Sequence, residues 1–117
     1  MFSMWITFSV LPKQRTKLLE LLRPIINPTR YMIGCSDSFH FDDEGRNKVY
    51  FCTEWHSRKL MNQYIRSRDF RSVLTAMDLC CSPPLIRIYE VCETDGMNYI
   101  ARVLNRNLLD LNGNKEG

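Results

Sequence analysis

Met4, Ile6, Phe8 and Val10 alternate with Trp5, Thr7 and Ser9. A period of two with one wholly apolar side predicts a strand. Pro12 then opens a helix, at a position where a missing N–H costs nothing. Leu18, Leu21, Leu22 and Ile25 recur at helical spacing and predict its buried stripe. Pro24 is expected to kink or end this helix near Arg23, with Asn27-Pro28 finishing it.

A second strand is expected from about Ile33 to Asp42. Ser36, Ser38 and His40 point one way, and Cys35, Asp37, Phe39 and Phe41 the other. Asp43 to Asn47 is polar and contains Gly45, which predicts a hairpin connection. Lys48 to Trp55 reads as the third strand, with Val49, Phe51, Thr53 and Trp55 opposed to Tyr50, Cys52 and Glu54. Ser57 is placed to cap the next helix, whose first part is expected to bury Leu60, Met61, Tyr64 and Ile65. Ser67-Arg68-Asp69 predicts a break and a fresh cap, after which Phe70, Val73, Leu74 and Met77 point inward. Pro83-Pro84 stops the helix, and Leu85 to Glu93 alternates as a last strand.

The order βαββαβ predicts an α+β, ferredoxin-like domain over residues 1–95, with two helices on one face of an antiparallel sheet. Residues 96–117 form a helical extension. Met97, Ile100, Val103, Leu104 and Leu108 give it an apolar side from Gly96 to Leu111, and the tail from Asn112 to Gly117 is expected to fray. Two helices leave the other sheet face bare. That face carries Trp5 and the half-aromatic alternate side of the third strand, which marks an interface or a ligand platform.

Composition narrows the classes. At 117 residues, 44% hydrophobic and 25% charged, the chain suits one globular core. A net charge of +3 falls short of the basic footprint of a nucleic-acid binder. No run approaches the roughly 18 apolar residues of a membrane span, and residues 1–11 read as a strand and not a signal peptide, so a cytoplasmic address is expected. The five cysteines form no C-x-x-C and read as reduced thiols. With only His40 and His56 to join them, no metal site is expected.

Gly34-Cys35, then Phe51-Cys52-Thr53-Glu54-Trp55-His56-Ser57, then Tyr64-Ile65-Arg66-Ser67-Arg68-Asp69-Phe70 together resemble the antibiotic biosynthesis monooxygenase domain. The resemblance spans residues 3 to 93. It implies a homodimer whose sheets pack face to face as a dimeric α/β barrel, with a substrate pocket inside each subunit between sheet and helices. Some members of that family oxidise aromatic polyketides or quinols with O₂ and no metal or flavin, while others degrade haem. The haem-degrading pattern places Asn, Trp and His where this chain has Ile6, Tyr64 and Leu74, so haem degradation is not expected. The resemblance therefore implies a cofactor-independent monooxygenase acting on a small aromatic or quinone-like molecule.

Such chemistry needs a base to ionise a phenol or enol in a dry pocket beside O₂. Tyr64 and His40 are the catalytic candidates, and Trp55, Phe70 and Met61 the substrate-binding ones. Glu54 is expected to point into the dimer barrel toward Arg87. Two other readings compete. One is a non-catalytic binding or scaffolding dimer of the same fold. The other is an RNA-binding βαββαβ module, for which Trp5 and Tyr50 are roughly placed; its third-strand consensus is largely missed, and Glu54 stands where RNA would approach.

Overall fold

A computed structural model of the chain describes residues 1–107. Four strands, β1 (Phe2–Ser9), β2 (Cys35–Asp43), β3 (Lys48–Trp55) and β4 (Leu85–Glu90), form one antiparallel sheet in the order β2-β3-β1-β4. Helices α1 (Pro12–Arg30), α2 (Arg58–Ile65) and α3 (Phe70–Met77) belong to the domain, and α4 (Gly96–Leu104) follows it. This is the ferredoxin-like α+β arrangement that the alternation predicts. Leu108 and the residues from Asn112 onward, assigned above to the extension's apolar side and tail, lie outside the described residues.

The core lies between the sheet and the helices. Met4, Ile6 and Phe8 of β1 meet Val49, Phe51 and Trp55 of β3 across from Leu18, Leu22, Ile25 and Ile26 of α1, all buried. Pro24 does not end α1. The helix runs on to Arg30 through both Pro24 and Pro28. The two prolines stand four residues apart, and both are exposed. The carbonyls left without a donor therefore belong to the solvent side, where water replaces the missing bonds and a helix bends at little cost. Arg15, itself buried, pairs with Asp42 and ties the first half of α1 to the end of β2.

The second strand departs from the expected facing at its start. Cys35 pairs with Trp55 but Asp37 with Glu54, so Ser36 is an extra residue in a bulge. The bulge turns Cys35 toward the helices, against the core, while Asp37, Phe39 and Phe41 keep the bare face. The hairpin closes through a 3₁₀ turn, Glu44–Arg46, with Asn47 left-handed at φ 55°. Ser57 caps α2 as expected, its Oγ accepting from the Leu60 N–H at 3.2 Å. Asp69 stands at the start of α3, but its side chain makes no cap bond.

Two residues expected inward are not. Ile65 is 36% exposed and Leu74 50%. On α3 the buried positions are Phe70, Val73 and Ala76, and Leu74 lies about 100° of helix rotation beyond Val73. The last strand stops at Glu90, three residues early, after which the Val91 N–H donates to the Met1 carbonyl at 2.7 Å. Beyond it α4 carries its own signals. The Asp95 carboxylate accepts from the Asn98 N–H, and Asn105 is left-handed at φ 57° in a Schellman-type stop. No helix of the described residues is long and apolar enough to cross a membrane.

Candidate functional site

Four of the five candidate side chains meet under α2. The Trp55 ring stacks on Tyr64 with centroids 4.8 Å apart and planes 27° from parallel, and Tyr64 meets Phe70 edge-on at 5.3 Å. Met61, one turn before Tyr64, is buried in the same cluster. The Trp55 indole N–H donates to Thr53 Oγ1 at 2.9 Å, which fixes the ring plane. His40 stands apart from these rings. It pairs with Phe51 across β2 and β3, on the helix-covered side, half-buried and two residues along the strand from Ser38.

Gly34 sets the approach of α2 to the sheet. Its φ is +86°, and a Cβ built there would lie 2.3 Å from Leu60 Cδ1 and 2.9 Å from Leu60 Cβ. The His56 N–H donates to its carbonyl at 2.8 Å. A residue without a side chain thus lets the first turn of α2 rest on the start of β2, and Tyr64 follows one turn later.

The expected pocket walls pack against one another. Clefts of the described surface lie elsewhere. One of about 370 Å³ is lined by Met1, His56, Val91 and Glu93, and one of about 460 Å³ by Lys17, Glu20, Leu21, Thr75 and Leu79. Neither touches Tyr64. Three hydroxyls, those of Thr29 in α1, Ser38 in β2 and Tyr64 in α2, are buried without a hydrogen-bond partner among the described residues. All three residues are 0% exposed. The Thr29 hydroxyl lies near enough to favour the Tyr64 phenolate, against the larger effect of burial, but neither oxygen completes a bond of proper length and angle.

Sequence reasoning missed Thr29 and Ser38. For Thr29 the signal exists: the stripe Leu18, Leu22, Ile25 continues at helical spacing to 29 once Pro24 no longer ends the helix. Ser38 carries no signal of its own, since strand alternation alone does not say that its side is covered.

Burial pushes the Tyr64 phenol well above its ordinary value, and it pushes the Cys52 thiol up to about 11. Tyr64 is therefore a proton holder and hydrogen-bond donor at neutral pH, not a base. These shifts have a stability consequence. The folded chain keeps protons that the unfolded chain releases above the ordinary values of 9.0 for the thiol and 10.0 for the phenol. Their contribution is fully present below pH 9.0 and is lost as pH rises through about 11. Urea midpoints should fall across that window, and less steeply in a Cys52→Ala, Tyr64→Phe double variant; parallel curves would refute this.

The bare sheet face has its own pattern. Trp5 meets Phe39 edge-on at 5.7 Å, and Phe39 meets Phe41 at 5.4 Å. Phe41, Leu85 and Tyr89 of this face are exposed. Glu54 shares the face with Arg87, but the two lie two strands apart, opposite Ser3 and Trp5 respectively, and form no ion pair within the described chain.

This four-stranded antiparallel sheet with its helices on one side is similar in fold to solved antibiotic biosynthesis monooxygenase structures. One structure described by that name superposes with a TM-score of 0.71 at 18% identity, covering 80% of this chain and 100% of its own. Rv0793 from Mycobacterium tuberculosis gives 0.72 at 18% identity over 80% of this chain and 96% of its own. A conserved protein from Methanosarcina mazei gives 0.71 at 19% over 78% and 92%. No family model and no curated protein matches the sequence.

Proposed function

We propose that the chain is a member of the antibiotic biosynthesis monooxygenase family that oxidises a small phenol or quinol with O₂ and without a metal or flavin. The observation that carries this reading is Tyr64: a fully buried phenol whose hydroxyl completes no hydrogen bond among the described residues, held against Trp55. The likeness of fold to a named monooxygenase supports it. In this reading Tyr64 donates to the substrate oxygen on which negative charge develops, and a low-dielectric surround makes that donation count. His40, on the helix-covered side of β2, is the base. For an anthrone-like substrate the ionised ring passes an electron to O₂, the two combine as a hydroperoxide, and loss of water leaves a carbonyl. One oxygen atom enters the product, and the other leaves with the two hydrogens of the oxidised carbon.

Oxygen uptake with anthrone and hydroquinone tests this. Tyr64→Phe should lower turnover about a hundredfold while leaving the far-UV spectrum unchanged, and equal turnover would remove Tyr64 from the mechanism. The same reading assigns the bare aromatic face to a second copy of the chain. Light scattering across a dilution series should give twice the chain mass, and Trp5→Glu should halve it. A wild-type monomer would return that face to the RNA-binding alternative.

A further inference from the structure

We infer that Cys80 and Cys81 form a redox modification site: a small-molecule disulfide oxidises the neighbouring thiols to a reversible bridge, and the bridge loosens the attachment of β4. Nothing in it depends on Tyr64 or on the oxidation proposed above.

Two thiols meet one strand end here. The pair stands between α3 and β4, outside helix and strand and ahead of Pro83-Pro84. The Cys81 N–H donates to the Ser9 carbonyl at 2.9 Å, and the Cys81 thiol reaches the same oxygen at 3.4 Å. The Cys80 thiol lies 3.8 Å from the Ala76 carbonyl, and the Ser9 backbone acts on it too. Both sulfurs thus gather at Ser9, the end of β1. Thiols are weak donors, so these contacts orient the pair without tying it down. Cys81 is exposed and Cys80 half-buried.

The place matters because of what Ser9 holds. The β1–β4 ladder ends at Thr7 opposite Leu85. Ser9 lies two residues past that pair, and Pro83 and Pro84 have no N–H to give. The bond from Cys81 to Ser9 therefore fixes the entry of β4 to the sheet, as the bond from Val91 to Met1 fixes its exit. Adjacent Cα atoms stand about 3.8 Å apart across a trans peptide, short of the roughly 4.4 Å at which bridges usually begin. Closing the bridge must turn the backbone between the two residues. That turn carries the Cys81 N–H off its carbonyl.

Exposure sets the order of the chemistry. Cys81, as the thiolate, attacks one sulfur of the reagent; a mixed disulfide forms and the first reagent thiol leaves. Cys80 then attacks the Cys81 sulfur, and the second reagent thiol leaves. The two protons given up by the cysteines end on the two released thiols. The pair loses two electrons and the reagent gains them. Burial pushes the Cys80 thiol above its ordinary value, which makes it the poorer first nucleophile. In the second step its position beside the mixed disulfide makes up for this. A bridge that distorts its own backbone is readily reduced again, as a reversible modification requires.

The test incubates the full chain with oxidised glutathione, maps the thiols by mass spectrometry after alkylation, and follows backbone hydrogen exchange. The expected product has lost two hydrogens within the peptide that holds Cys80 and Cys81, and that peptide carries no glutathione. Its β4 amides exchange about fivefold faster than in the reduced chain, the loss expected from one backbone hydrogen bond. Dithiothreitol restores both. Cys80→Ser should stop at a glutathione adduct on Cys81, while Cys92→Ser should form the bridge as the parent does. A lasting adduct on Cys81 in the parent, a bridge from either residue to Cys92, or β4 exchange unchanged by the bridge would each overturn the inference.

Discussion

Gly34→Ala should destabilise the fold by about 2–4 kcal/mol, the sum expected from a strained backbone and an overpacked contact. The left-handed φ of +86° is unfavourable for any side chain, and the new methyl would stand 2.3 Å from Leu60 Cδ1. Rotating Leu60 relieves only part of this. Its Cβ, 2.9 Å away, is fixed to the helix backbone, so α2 itself must shift. The shift would pull on the 2.8 Å bond from the His56 N–H to the Gly34 carbonyl and on the seat of Tyr64. Urea unfolding of three single variants decides it. Gly45→Ala meets nothing closer than 3.8 Å and Gly96→Ala meets nothing, so both should stay near the parent midpoint. Adding Leu60→Ala to Gly34→Ala should cost less than the two losses summed. A Gly34→Ala protein as stable as its parent would mean that α2 does not rest on this glycine.

Trp55→Ala should cost about 3–5 kcal/mol, the range for removing a large buried aromatic. Trp55 is 1% exposed, stacks on Tyr64 and closes the side of the core next to β2. Its loss also strands Thr53 Oγ1, which accepts the indole N–H at 2.9 Å. Trp55→Phe separates the two effects. It keeps an aromatic plate and drops the N–H, so it should lose less than half as much. Equilibrium unfolding followed by circular dichroism measures both, and equal losses would assign the stabilisation to the hydrogen bond and not to the ring.

These two residues also show how much the sequence reveals. β3 was legible to the residue, because strict alternation from Lys48 to Trp55 sits between a polar turn and a capping serine. Ser57 was legible for the same reason: local chemistry decides a cap. The continuation of α1 was not, because a proline's effect depends on whether its side of the helix meets water, and that is settled only when α1 docks on the sheet. The bulge at Ser36 was hidden because one extra residue leaves the alternation on either side of it intact. Met61, Tyr64 and Phe70 were legible as buried residues from helical spacing and Trp55 from strand alternation, while their candidate roles rest on the resemblance. The burial of Thr29 is legible only once α1 is carried past Pro24, and that of Ser38 is not, because a small hydroxyl residue on a strand gives no sign in sequence of whether its side is covered.

β4 lacks the protection of the other strands. Every one of its six residues is exposed, including Ile86 and Ile88 on the side that should face helices. It stands at the sheet edge, joined to the domain through the ladder to β1 and the Val91–Met1 bond. Its amides should exchange with solvent well before those of β1 and β3, so the durable body of the protein is β2-β3-β1 under α1, and β4 is a detachable margin. Detached, that margin is also a hazard: an open strand with aliphatic side chains on both surfaces is a template on which another chain can add a strand.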